Sequence, residues 1–158
     1  MTFNNIGELK KEGFIGFKTV SELFDDNSIL PNAKGGYLVL YIAHDRPLFL
    51  TTGSGGHFKH KDPNVSLTEL RSNWVNNTIV VYIGKAASLK SRLMQYMKFG
   101  QGKNIGHYGG RYIWQLKNSQ ELVVCWKPLD VDPRLFERNL IEEFVSVFGE
   151  RPFANLRD

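Results

Sequence analysis

The sequence predicts a single mixed α/β domain, on three observations. Two runs rich in β-branched and aromatic residues, Tyr37 to Ile42 and Val80 to Ile83, read as strands. Capped segments with apolar residues recurring at helical spacing alternate with them. The length of 158 residues suits one core, and 42% apolar with 13% aromatic residues excludes a disordered chain.

Taken in order, Phe14 to Phe17 is a short strand leading into a helix, which Thr19 and Glu22 open as a capping box. Pro31, Asn32, Lys34, Gly35 and Gly36 are turn formers before the strand at Tyr37. From about Ala43 to Asn77 the pattern is irregular. Pro47 to Thr51 reads as another strand, Thr52 to Gly56 as a flexible turn, and Ser66 with Glu69 as a second capping box opening a helix toward Trp74. Val80 to Ile83 is a buried strand, and Gly84 turns the chain out of it. Ser88 caps the next helix, Leu89, Leu93 and Met97 form its core stripe, and Gly100 stops it. Tyr112 to Leu116 and Leu122 to Trp126 read as a hairpin across Lys117 to Gln120. Asp132, Pro133 and Gly149 bound the last helix, where Phe136, Leu140, Phe144 and Phe148 make the apolar stripe.

Several classes are excluded. No apolar run is long enough to span a membrane, and the first residues lack the basic and apolar regions of a signal peptide. The lone Cys125, inside an apolar run, reads as a buried hydrophobe and not a reactive thiol. These features predict a cytoplasmic protein. The net charge of +4 is modest, but its placement is one-sided. Lys85, Lys90, Arg92, Lys98, Lys103 and Arg111 fall in a stretch without any Asp or Glu, the footprint of a nucleic-acid surface.

Chemistry concentrates at the junction of the second strand and the basic helix. Arg92 and Tyr96 are four residues apart on one helix face, and Tyr82 and Lys85 lie close before it. A guanidinium, an ammonium and two phenols suit a phosphate better than an apolar ligand. His57 and His60 flank Lys59, yet no cysteine pair completes a zinc site, so with Lys61 they read as a basic contact loop. Gly100-Gln101-Gly102-Lys103 lacks the spacing of a nucleotide-binding loop.

The chain resembles the GIY-YIG nuclease superfamily, in particular the N-terminal nuclease block of the excision-repair protein UvrC. Tyr82-Ile83-Gly84 matches the second signature, and Gly35-Gly36-Tyr37 corresponds to the first, with Gly36 in the central apolar position. Lys85-Ala86, Leu89-Lys90-Ser91-Arg92 and Tyr96 continue the block. Glu137-Arg138-Asn139-Leu140-Ile141 resembles the family's glutamate helix, and Arg151-Pro152-Phe153-Ala154-Asn155 its terminal segment. The resemblance implies a small central antiparallel sheet flanked by helices. Tyr37 and Tyr82 are forty-five positions apart (82 − 37), where the family uses a short hairpin. Residues 43–77 therefore read as an insertion, and 1–34 as an N-terminal extension.

The implied activity is Mg²⁺-dependent hydrolysis of DNA phosphodiester bonds, with Mn²⁺ as a possible substitute. Tyr37 would assist deprotonation of water, a task for which an unperturbed phenol, with pKa about 10, needs nearby cations. Arg92 and Lys85 would neutralise developing charge, while Tyr82, Tyr96 and Asn155 shape the site. Glu137 would be the metal ligand, with Glu142 and Glu143 as competing carboxylates on the same helix. Lys59, Lys61, Lys90, Lys98, Lys103, His107 and Arg111 are the expected nucleic-acid contacts. The sequence leaves open a non-catalytic nucleic-acid-binding module, an RNA nuclease, and the oligomeric state.

Overall fold

The computed structural model describes residues 1–105 and 108–156, and four strands in it form one antiparallel sheet. In chain order the elements are α1 (Ile6–Lys11), β1 (Ile15–Thr19), α2 (Val20–Asp25), β2 (Gly35–Leu40), α3 (Leu67–Asn73), β3 (Val80–Ala86), α4 (Leu89–Phe99), β4 (Val123–Pro128) and α5 (Pro133–Phe148). Short 3₁₀ segments cover Phe58–His60, Tyr108–Gln115 and Ser119–Glu121. The sheet order is β1-β4-β2-β3, with every neighbouring pair antiparallel.

The apolar alternation of β2 dictates the layering. All its residues are buried, as an interior strand covered on both faces requires. Tyr37 and Val39 join a core cluster with Leu89, Leu93, Tyr96 and Met97 of α4. Leu38 and Leu40 join another with Leu140, Ile141 and Phe144 of α5. Cross-strand pairs Tyr37–Gly84, Leu38–Ile83 and Val39–Tyr82 keep this alternation, and the register then shifts so that Leu40 faces Val80. The outer edge of β3 is covered by the chain end. The Ala154 N–H donates to the Val81 carbonyl (2.9 Å), and the Asn155 carboxamide pairs with both backbone groups of Ile83, each at 2.8 Å. Such a cover protects an edge strand from pairing with another chain.

Helix boundaries follow the caps. Thr19 and Glu22 form a reciprocal capping box, Ser88 and Asp132 cap α4 and α5, and Gly149 closes α5 in the left-handed conformation. Ser66 caps α3, but the Glu69 side chain accepts a hydrogen bond from the Tyr112 hydroxyl, so no reciprocal box forms there.

Several sequence expectations are corrected. Gly35 and Gly36 belong to β2, not to a turn, and Gly84 lies inside β3, not at its exit. Gly84 is glycine because the Tyr37 ring lies across it, with Cζ 2.2 Å from where a Cβ would stand. Gly100 does end α4, as its C-cap, but in right-handed helical angles. The segment from Tyr112 is a 3₁₀ run and not a hairpin strand, and Pro47 to Thr51 contributes only the Phe49–Leu116 bridge. Both are tied by Gln115, whose buried carboxamide accepts from the Val65 N–H and donates to the Val65 and Leu50 carbonyls. α1, capped by Asn5, was not anticipated. Among the described residues no helix is long and apolar enough to cross a membrane.

Candidate active site

A cavity of about 440 Å³ opens where the ends of β2 and β3 meet the start of α5. Tyr37, Tyr82, Lys85, Arg92 and Glu137 all line it, contributed by β2, β3, α4 and α5. Its remaining lining is Ala86, Ala87, Asp132, Pro133 and Arg134. Strand alternation explains the convergence. Tyr37 and Tyr82 point to the α4 side, whereas Lys85 pairs across the strands with Gly36 and points to the α5 side. There the Lys85 Nζ meets Glu137 Oε1 at 3.0 Å, in a pair whose carboxylate is only 20% exposed.

Gly36, the departure from the first signature, has a direct cause. The Phe136 ring of α5 lies on it, with Cε1 2.4 Å from where a Cβ would stand. A larger residue would push α5 outward and move Glu137, the next residue, away from Lys85.

The phenols form a cluster. Ring centroids are 6.0 Å apart for Tyr37 and Tyr82, 5.5 Å for Tyr82 and Tyr96, and 6.4 Å for Tyr37 and Tyr96. Burial pushes the Tyr37 hydroxyl well above the ordinary phenol range, the neighbouring Tyr82 adds to this, and Arg92 pulls it back. Burial also raises Tyr82, with Glu137 adding to the shift, while Arg92 and a hydrogen bond from Tyr37 oppose it. Tyr96 is raised by burial first, and its hydroxyl donates to the Gly110 carbonyl at 2.7 Å. Tyr96 therefore supports the other two phenols from behind and does not line the cavity.

Arg92 is the lining cation with the least satisfied charge. Lys85 and Arg134 each pair with a carboxylate, but among the described residues Arg92 donates only to the neutral Gln95 Oε1 at 3.3 Å. The backbone at the start of α4 offers no competing anion site. The N–H groups of Leu89 and Lys90 donate to the Ala33 and Pro31 carbonyls.

Glu137 alone of the three glutamates on this helix lines the cavity. Glu142 is exposed, and Glu143 receives the Met1 amino group at 2.9 Å. One recessed carboxylate at an open cavity fits Mg²⁺, which keeps most of its waters. Among the described residues no three His, Cys, Asp or Glu side chains gather, so no zinc-type cluster is assembled. Asn155 is not in the lining. Its carboxamide fastens the chain end to Ile83, so its effect on the site passes through β3.

The expected contact lysines fall into two segments that the fold joins. The Gly56 N–H donates to the Phe99 carbonyl at 2.9 Å, and the Lys103 N–H to the Lys98 carbonyl at 3.1 Å. The segment leading to Lys59 and Lys61 thus runs beside the end of α4 that carries Lys98 and Lys103. All four lysines are exposed, while Lys90 and Arg111 are partly covered. His107 lies outside the described residues. Asp132 and Arg134 were missed as lining residues, because in sequence they read only as a helix start.

Comparison with family models, curated proteins and solved structures returned no match.

Proposed function

We propose that this chain is a metal-dependent endonuclease of the GIY-YIG type, acting on DNA. The observation that carries the reading is the convergence of Tyr37, Tyr82, Lys85, Arg92 and Glu137 on one cavity from four elements. The adjacency of the two signature-bearing strands supports it, as does the packing reason for Gly36. So does the joining of the basic segments around Lys59 and Lys103.

In this reading the scissile phosphate enters the cavity beside Arg92, whose forked donors meet the charge that builds up as water attacks phosphorus. Tyr37 takes a proton from that water. The reactive form is the small fraction of Tyr37 that has passed its proton along the hydrogen bond to Tyr82, which releases its own to solvent in the cleft. Burial of both phenols keeps that form scarce at neutral pH. Lys85 holds Glu137 in place, and its ammonium would stand at the cavity as a point charge for a phosphate oxygen. Glu137 would hold Mg²⁺, which when bound supplies positive charge for a phosphate oxygen. The bond to the leaving oxygen breaks as the water oxygen bonds to phosphorus, and the leaving oxygen takes a proton from solvent.

A binding module without cleavage is the second reading, favoured by one observation: Tyr37 is only 1% exposed. The deciding experiment incubates supercoiled, branched and single-stranded DNA, and matched RNA, with the protein in Mg²⁺ or EDTA. The nuclease reading expects Mg²⁺-dependent products, none with Glu137→Ala, and retained cutting with Glu142→Ala and Glu143→Ala. Arg92→Ala should lower kcat by roughly 10²–10³-fold, the scale for removing one transition-state donor. Binding without products from any substrate would favour the module, and products from RNA alone would change the substrate.

A further inference from the structure

Arg134 lines the same cavity from the first turn of α5, three residues before Glu137 and on the same helix face. Its guanidinium grips Asp132, with Nη2 at 3.1 Å from Oδ2 and Nε at 3.4 Å from both carboxylate oxygens. Asp132 Oδ1 also accepts the Arg134 backbone N–H at 2.9 Å, which caps the helix. The two tasks of Asp132 are separable, because capping uses the backbone of Arg134 and pairing uses its side chain. The pair is also loose. Arg134 is 79% and Asp132 50% exposed, so water screens the attraction and little stability is lost when the guanidinium leaves.

The charges around the cavity show what the guanidinium would leave for. The lining carries Lys85, Arg92 and Arg134 against Asp132 and Glu137. Lys85 is matched by Glu137, and Arg92 is the cation for the phosphate undergoing attack. Arg134 remains at the rim, with a fork that fits phosphate as well as carboxylate.

We propose that Arg134 is a substrate-positioning residue that exchanges Asp132 for a phosphate flanking the scissile one. The site then takes a strand with consecutive phosphates in preference to an isolated phosphodiester. The inference rests on the reading of the cavity as a phosphodiester site.

The test is a salt titration of binding to a short fluorescein-labelled DNA duplex in EDTA. It compares the parent with Arg134→Gln, Asp132→Asn, the double variant, and Arg138→Gln as a charge-matched control outside the cavity. Arg134→Gln should weaken binding several-fold and reduce the slope of log K against log salt by about 0.9, the value for one lost phosphate contact. Asp132→Asn keeps the helix cap, since Asn caps as well as Asp, and frees Arg134. It should tighten binding, and the gain should vanish in the double variant. An unchanged slope in Arg134→Gln, a slope loss equalled by Arg138→Gln, or a gain that survives in the double variant would overturn the proposal. Cleavage of the same duplex in Mg²⁺ separates the two readings. A parent that cuts while Arg134→Gln keeps its full slope overturns only this inference. A parent that binds and follows the cycle but never cuts overturns only the nuclease. A parent that binds no duplex overturns both.

Discussion

The two faces of the β2–β3 pair are built from the same alternating strands but carry opposite chemistry. Toward α4 they present Tyr37, Val39 and Tyr82, and toward α5 Leu38, Leu40 and Ile83. The α5 face buries aliphatic side chains without polar atoms, so its contribution is area removed from water. The α4 face buries hydroxyls, each of which costs stability unless bonded. The Tyr96 hydroxyl donates to Gly110, and the Tyr37 hydroxyl donates to that of Tyr82. Each face also seats an aromatic ring on a glycine, Phe136 on Gly36 and Tyr37 on Gly84. The candidate site lies where the faces meet at the strand ends, so Glu137 from one side confronts phenols from the other. The difference teaches that the α5 face is apolar until its rim, where the Lys85–Glu137 pair sits, while the α4 face buries phenols at a cost in stability.

The largest expected effects come from neighbouring residues on opposite faces. Leu38→Ala should lose about 2–5 kcal/mol of stability in urea denaturation, as buried leucines do, and under the nuclease proposal the folded variant should cut DNA like the parent. Tyr37→Phe should lose only about 0.5–1.5 kcal/mol, the scale of one hydrogen bond, yet slow single-turnover cleavage by roughly 10²–10⁴-fold. A Tyr37→Phe variant that cuts like the parent would reduce Tyr37 to packing and erase the contrast.

A smaller effect is expected from pH. Burial raises Tyr37, Tyr82 and Tyr96, and Tyr112 is pushed up to about 12. A phenol raised on folding binds its proton more tightly in the folded state, so stability is full below about pH 10 and falls as pH rises above it. Thermal melts should therefore be flat through neutral pH and decline in the alkaline range, together with the appearance of tyrosinate absorbance. If Tyr37 is the base, cleavage should rise about tenfold per pH unit between roughly pH 6 and 9, because the reactive form is scarce there. A plateau near neutrality would point to a base other than a buried phenol.

The part of this arrangement legible in the sequence is the part encoded locally. Thr19, Ser88 and Asp132 mark helix starts by their own chemistry, and the apolar alternation of β2 fixes which side chains share a face. What escaped depends on partners distant in sequence. Tyr112 to Leu116 are all buried, and a short run with apolar residues on either side of Gln115 reads equally as a strand or as a buried 3₁₀ segment. Gln115 gives no signal of its role, since its partners Leu50 and Val65 lie in the irregular segment. Gly84 and Gly36 look like turn residues until the rings lying on them are known. Likewise, the Arg134 side chain becomes a candidate only once α5 is set against the ends of β2 and β3.

The smallest expected effect concerns the segment 43–77, and it extends the comparison from the sheet to the surface beyond it. Part of this segment belongs to the core: Trp74 stacks edge-on against Tyr41 and Phe153, and Leu70 is fully buried. The tip is different, for Lys59 and Lys61 are exposed on backbone that runs beside the end of α4. The tip is tied at Gly56 to the Phe99 carbonyl, at the end of α4 beyond Arg92, and not to the cleft itself. Lys59 and Lys61 should therefore touch phosphates without reaching the reacting one. Replacing both with Ala should leave the melting temperature within about a degree, because exposed lysines contribute little to stability. It should also reduce the salt slope of DNA binding by about 1.8, the sum for two phosphate contacts. An unchanged slope in a folded double variant would assign the tip to packing and confine DNA contacts to α4 and the cleft.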